Sequence, residues 1–70
     1  MNQQYTFPPD PLMKFSELAK YLNLTTQTLR LYVKNDQIPY IRVSDGAIRF
    51  RLSDIEGWLK DRVFLPKADS

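Results

Sequence analysis

Apolar residues along this chain recur first at helical and then at strand spacing. Phe15, Leu18, Ala19 and Leu22 share one face of a helix predicted over about residues 16–22, with Ser16 as its N-cap. Asn23 follows, a residue that tolerates the left-handed backbone ending a helix. A second helix opens at Thr25, a favoured N-cap. At about 100° per residue, Leu29, Tyr32 and Val33 fall on its core side, and Gln27, Arg30, Leu31 and Lys34 on the other. The joint "YLNLTT" is a turn of about three residues, and the small Ala19 stands where the second helix crosses the first. Two short helices so joined make a helix-turn-helix pattern.

Ile38-Pro39 closes this unit, and the period then changes to two. In "RVSDGAIRFR", residues 42–51, Asp45-Gly46 between two alternating runs is a strong hairpin signal. A two-residue turn there pairs Val43 with Ile48, Ile41 with Phe50, and Arg42 with Arg49. One face is then Ile41, Val43, Ile48 and Phe50, anchored to the core. The other carries Arg42, Arg49 and Arg51, with Tyr40 beside them. Arginines directly opposite each other repel, so this face asks for an explanation.

A third helix starts at Ser53, whose capping-box partner is Glu56, and buries Ile55, Trp58 and Leu59. Gly57 costs such a helix about 1 kcal/mol relative to Ala, which close backbone packing would explain. Tyr21, Tyr32 and Trp58 read as core aromatics. Residues 1–13, with Pro8, Pro9 and Pro11, read as an extended N-terminal arm in which Tyr5 and Phe7 can tuck against the domain. Residues 14–63 form the domain. Residues 64–70 are a C-terminal tail whose Phe64, Leu65 and Pro66 either cover the core or make a sticky edge. The expected fold is mainly α with a small β-hairpin, in the order helix–turn–helix–hairpin–helix.

Composition narrows the chemistry. A chain of 70 residues is one domain and buries only about 60% of its unfolded surface. It has no Cys and no His, and its carboxylates are scattered. Asp54 and Glu56, the closest pair, stand at a helix start, where capping explains them. No enzyme, metal site or cofactor is expected. No apolar run reaches the ~18 residues of a membrane span, and "MNQQYTFPPDP" is not a signal peptide, so a cytoplasmic protein is expected. The net charge is +2, and from Thr25 to Arg51 the chain carries Arg30, Lys34, Arg42, Arg49 and Arg51 against Asp36 and Asp45. Such clustering is the footprint of a polyanion-binding surface, with chance as the alternative.

On the outer side of the second helix, Gln27 can pair with adenine and Arg30 with guanine or phosphate. Lys34, a turn further on, is better placed for backbone phosphate. Leu31 can touch a thymine methyl, meet a second copy, or be a lone surface leucine. Thr26 and Thr28 can donate to phosphate beside the helix N-terminus, or simply cap it. Arg42, Arg49 and Arg51 suit a phosphate chain or a narrow minor groove; ordinary solvated charge on a wet sheet face is the alternative. Tyr40 can stack or hydrogen-bond there, or be an exposed strand tyrosine.

These residues resemble the compact winged-helix domains of phage and mobile-element excisionases and of the MerR regulators. "FSELAKYLNLTTQTLRLYVKNDQIP" resembles their helix-turn-helix, and Leu24 to Arg30 is similar to the family's valine-serine-x-x-threonine-leucine-arginine. Ile38-Pro39 matches the leucine-proline before the wing, and Ile48 to Leu59 the strand that runs into a capped helix ending in Trp-Leu. The resemblance covers about residues 14–62. It implies double-stranded DNA binding, with the second helix in a major groove and the wing along backbone or minor groove. Thr26, Gln27, Arg30 and Lys34 match the family's helix contacts, and Arg42, Arg49 and Arg51 its wing positions. Leu31 departs from the usual polar or aromatic contact residue, and Asn23 and Asp36 stand where glycine is common. Without the long dimerisation helix and effector domain of MerR regulators, the chain resembles a stand-alone excisionase, a recombination directionality factor that binds neighbouring sites, bends DNA and steers an integrase. A small AlpA-like transcriptional regulator is the alternative. A protein-interaction module using Leu31 and Phe64-Leu65, without DNA binding, is an alternative of another class.

Overall fold

Each apolar stripe forms its element in the computed structural model, which describes residues 10–66. The order is β1 (Leu12–Met13), α1 (Phe15–Leu22), α2 (Thr26–Lys34), β2 (Ile41–Ser44), β3 (Ala47–Arg51) and α3 (Leu52–Lys60). Three helices and an antiparallel sheet of order β1-β3-β2 make a winged helix-turn-helix, with the β2–β3 hairpin as the wing. Tyr5 and Phe7 lie outside the described residues.

Local chemistry sets the helix ends. α1 begins before Ser16: Lys14 is the N-cap, and the Glu17 carboxylate accepts from the Lys14 backbone N–H at 2.8 Å. The residue at the third helical position thus reaches back to satisfy the cap. At the start of α2, the Thr25 hydroxyl accepts from the Thr28 backbone N–H at 3.1 Å, as its N-cap position predicts. Both helices end in left-handed residues, Asn23 at φ 60° and Asp36 at φ 54°. Behind them, the Leu24 N–H donates to Ala19 O and the Gln37 N–H to Tyr32 O, each at 2.8 Å. The two departures from glycine therefore occupy left-handed positions, filled by the non-glycine residues that enter that region at least cost.

Part of the expected arm belongs to the fold. β1 pairs with β3, Leu12 opposite Arg51 and Met13 opposite Phe50. Just before it, the Asp10 carboxylate accepts from the Ser53 backbone N–H and the Ser53 hydroxyl, each at 2.9 Å. The expected Ser53–Glu56 capping box is corrected accordingly. α3 starts at Leu52, and its orphan N–H is satisfied by a carboxylate from the other end of the domain. Asp10→Ala should lower stability by about 0.5–2 kcal/mol, the usual cost of losing an N-cap. Chemical denaturation reads this directly, and an unchanged midpoint would show that the clasp contributes nothing.

The hairpin turns at Asp45-Gly46, with Gly46 at φ 76°, and Ser44 faces Ala47 as expected. Beyond that pair the register slips: Arg42 faces Ile48, and Ile41 faces Arg49. The extra residue is Val43, left in a bulge and 58% exposed rather than anchored in the core. Arg42 and Arg49 are therefore not opposite each other. They lie on opposite faces of the ribbon, which removes the expected repulsion.

Every helix and the central strand contribute to the core: Leu18 and Ala19 from α1, Leu29 from α2, Phe50 from β3, Ile55 from α3, and Ile38 from the link to the wing. Tyr32, Val33, Trp58 and Leu59 pack against it as expected. The Trp58 indole N–H donates to Gln37 O at 2.8 Å, and its ring meets Tyr32 edge-on at 5.8 Å, tying α3 to the end of α2. Tyr21 is 52% exposed, so its core assignment is corrected. Phe64 is 84% exposed, and Leu65 is also exposed; neither covers the core. At Gly57 a Cβ would meet nothing within 4 Å, so no close approach of backbone explains the glycine. Gly57→Ala should stabilise the protein by about 1 kcal/mol, or roughly 4–8 °C in melting midpoint. A lowered midpoint would overturn this reading of α3.

Candidate nucleic-acid interface

The apolar stripe of α2 turns the opposite side outward. Leu29 is buried and Tyr32 and Val33 pack on the core, leaving Gln27, Arg30, Leu31 and Lys34 exposed. All four come from one short helix, so the fold places them on one surface. Leu31 is 57% exposed, an apolar residue between two cations. Thr26 and Thr28 are half-buried at the N-terminus of α2. Thr28 belongs to the cap: besides its backbone N–H, its hydroxyl oxygen accepts from the Thr25 hydroxyl at 3.0 Å. Its own hydroxyl proton is left to donate elsewhere.

Arg30 does not extend into solvent alone. Its guanidinium lies 4.5 Å from the centre of the Phe15 ring on α1. Phe15 in turn meets Phe50 of β3 edge-on, with ring centres 5.1 Å apart. The exposed side of α2 is thus connected to the central strand by a stack of three side chains. Among the described residues, Arg30 has no carboxylate at ion-pair distance.

The wing arginines have separate surroundings. Arg42 is exposed, its guanidinium 6.0 Å from the Tyr40 ring, at the outer limit of cation–π attraction. Arg49 is half-buried, and its Nη1 donates to Ile48 O at 2.8 Å. Arg51 has its Nε 3.9 Å from carboxylate oxygens of both Asp10 and Asp54, so two negative charges offset its own. Tyr40 is half-buried against the core, and its hydroxyl donates to Asp36 at 3.4 Å. The structure thus gathers the α2 residues onto one face but does not gather the wing arginines onto another. Sequence reasoning missed Asp10 and the contact of Phe15 with Arg30. Neither leaves a local signal, because each partner is distant along the chain.

Among the described residues, no helix is long and apolar enough to cross a membrane. Comparison with curated proteins gave no match, and comparison with solved structures gave none. A family model described as a helix-turn-helix domain matches residues 12–63, from the first residue of β1 to just beyond α3. With that match spanning most of the sequence, and with the helices, turn and wing in place, the chain belongs to the helix-turn-helix domain family, a family of DNA-binding domains.

Proposed function

We propose that this chain is a sequence-specific double-stranded DNA-binding protein of the excisionase kind, which binds and bends DNA and steers an integrase. The outward side of α2, with Gln27, Arg30 and Lys34 exposed together, carries the reading. Gln27 and Arg30 read base edges in a major groove, as amide and guanidinium forks can. Lys34 grips phosphate. Thr26 and Thr28, beside the backbone N–H groups opening α2, hold a second phosphate. Leu31 touches a thymine methyl.

The wing has a different task. Arg42 and Arg49 project from opposite faces of one ribbon. A ribbon with a cation on each face can meet both phosphate walls of a minor groove at once, which one basic face cannot do. Arg51, already beside two carboxylates, adds less to that grip than its position on the wing suggests. The exposed Val63, Phe64 and Leu65 offer apolar surface to the integrase or to a copy on an adjacent site.

Arg30→Ala and Arg42→Ala, compared on a duplex obtained by site selection and on random duplex, test the assignment. Arg30→Ala should weaken the selected site about tenfold and random DNA much less, whereas Arg42→Ala should weaken both alike. Wild-type protein that binds no duplex at low salt would overturn DNA binding. An AlpA-like regulator would use the same surface. Stimulation of excision by the integrase, assayed with purified components, separates the two: an excisionase changes the direction of recombination, and a regulator leaves it unaltered.

A further inference from the structure

We propose that Phe15, on α1, is a positioning residue for DNA recognition: its ring presets the Arg30 guanidinium for base contact. The proposal rests on Arg30 as a base reader. Arg30 reaches from α2 to the first residue of α1, and its charge centre lies 4.5 Å from the Phe15 ring centre. That ring is itself fixed, with Phe50 edge-on at 5.1 Å and the core cluster beside it.

A free arginine is one of the most flexible side chains, and ordering it on a base opposes binding. Attraction to a ring face removes much of that freedom beforehand. A guanidinium stacked flat on the ring keeps its recognition groups for the base. An aromatic face engages the π side of the guanidinium, whereas the N–H donors that pair with guanine lie in its plane. A carboxylate partner would consume those donors, and among the described residues Arg30 has none at ion-pair distance. Arg51, held between Asp10 and Asp54, shows the contrasting arrangement. Specificity would then depend on a residue of α1 that touches no base.

The first measurement needs no DNA. In wild-type protein, the ring current of Phe15 should move the Arg30 Hδ protons upfield of their ordinary NMR positions. Ordinary positions would overturn the proposal, whatever the behaviour of any variant. The second is a double-mutant cycle read as affinity for the selected duplex relative to random duplex. Phe15→Leu should reduce that ratio about three- to fivefold, the order expected for an exposed cation–π contact. Phe15→Tyr, which keeps a ring, should restore it. In an Arg30→Ala background, Phe15→Leu should change nothing further. An equal loss in both backgrounds would assign Phe15 a purely structural role and overturn the proposal. If Arg30→Ala leaves the ratio intact, the base-reading assignment fails and this proposal falls with it. If Arg30→Ala abolishes the preference while Phe15→Leu does not reduce it, only the positioning role falls.

Discussion

Affinity for random duplex is expected to fall about 40-fold between roughly 50 and 200 mM salt, with a log–log slope of about −2.7. The expectation comes from three cations with access to phosphate: Lys34 at the end of α2, and Arg42 and Arg49 on the two faces of the wing. Each neutralised phosphate contributes about 0.9 to the slope. Arg51 is left out because Asp10 and Asp54 already lie 3.9 Å from its Nε. Lys34→Gln should therefore reduce the slope by about 0.9, and Arg51→Gln should leave it nearly unchanged. Fluorescence anisotropy over a salt series measures all three proteins. A slope near zero in wild type would remove phosphate grip from the proposed interface. A wild-type slope near −3.6 that drops with Arg51→Gln would show that Arg51 leaves its carboxylates to take a phosphate.

What could be read from the sequence follows how far apart the interacting residues are. The Thr25 cap, the left-handed Asn23 and the Asp45-Gly46 turn are decided within a few residues, and each was legible. The outward side of α2 was legible too, because helical period alone separates Leu29 from Gln27 and Arg30. The wing register was not. Alternation gives the same pattern with or without a bulge, and only the structure shows Val43 as the extra residue. The cap of α3 is not legible, because Ser53 and Glu56 offer a local partner while the actual one, Asp10, comes from before β1. The candidate site divides in the same way. Which side chains face outward could be read, but what holds each one (Phe15 for Arg30, Asp10 and Asp54 for Arg51) could not. That division changes the reading of the wing. A face of mutually repelling arginines becomes a ribbon with a cation on each side.

Phe50→Ala is expected to cost about 3–5 kcal/mol, the range for truncating a buried aromatic. Phe50 is fully buried on the central strand, between β1 on one side and β2 on the other. Met13 lies opposite it in register, and the Phe15 ring packs on it edge-on. Stability of roughly 0.05–0.15 kcal/mol per residue gives a chain of 70 residues about 4–10 kcal/mol in total. The substitution therefore removes about three tenths of that total or more and can unfold the domain outright. Phe64→Ala is the matched control: the same truncation at an 84% exposed ring should shift stability by less than about 0.5 kcal/mol. Urea titrations followed by Trp58 fluorescence compare the two, and equal costs would refute a core organised around β3. The consequence extends to the interface. Phe50 supports Phe15, and Phe15 lies under Arg30, so the strand that carries the wing also supports the arginine assigned to base reading. Phe50→Leu keeps the volume closer to native and should leave the protein folded, at a cost under about 1.5 kcal/mol. It should also weaken discrimination between selected and random duplex, because the Phe15 ring loses its edge-on partner. Unchanged discrimination in folded Phe50→Leu would confine Phe50 to stability and separate the core from the recognition surface.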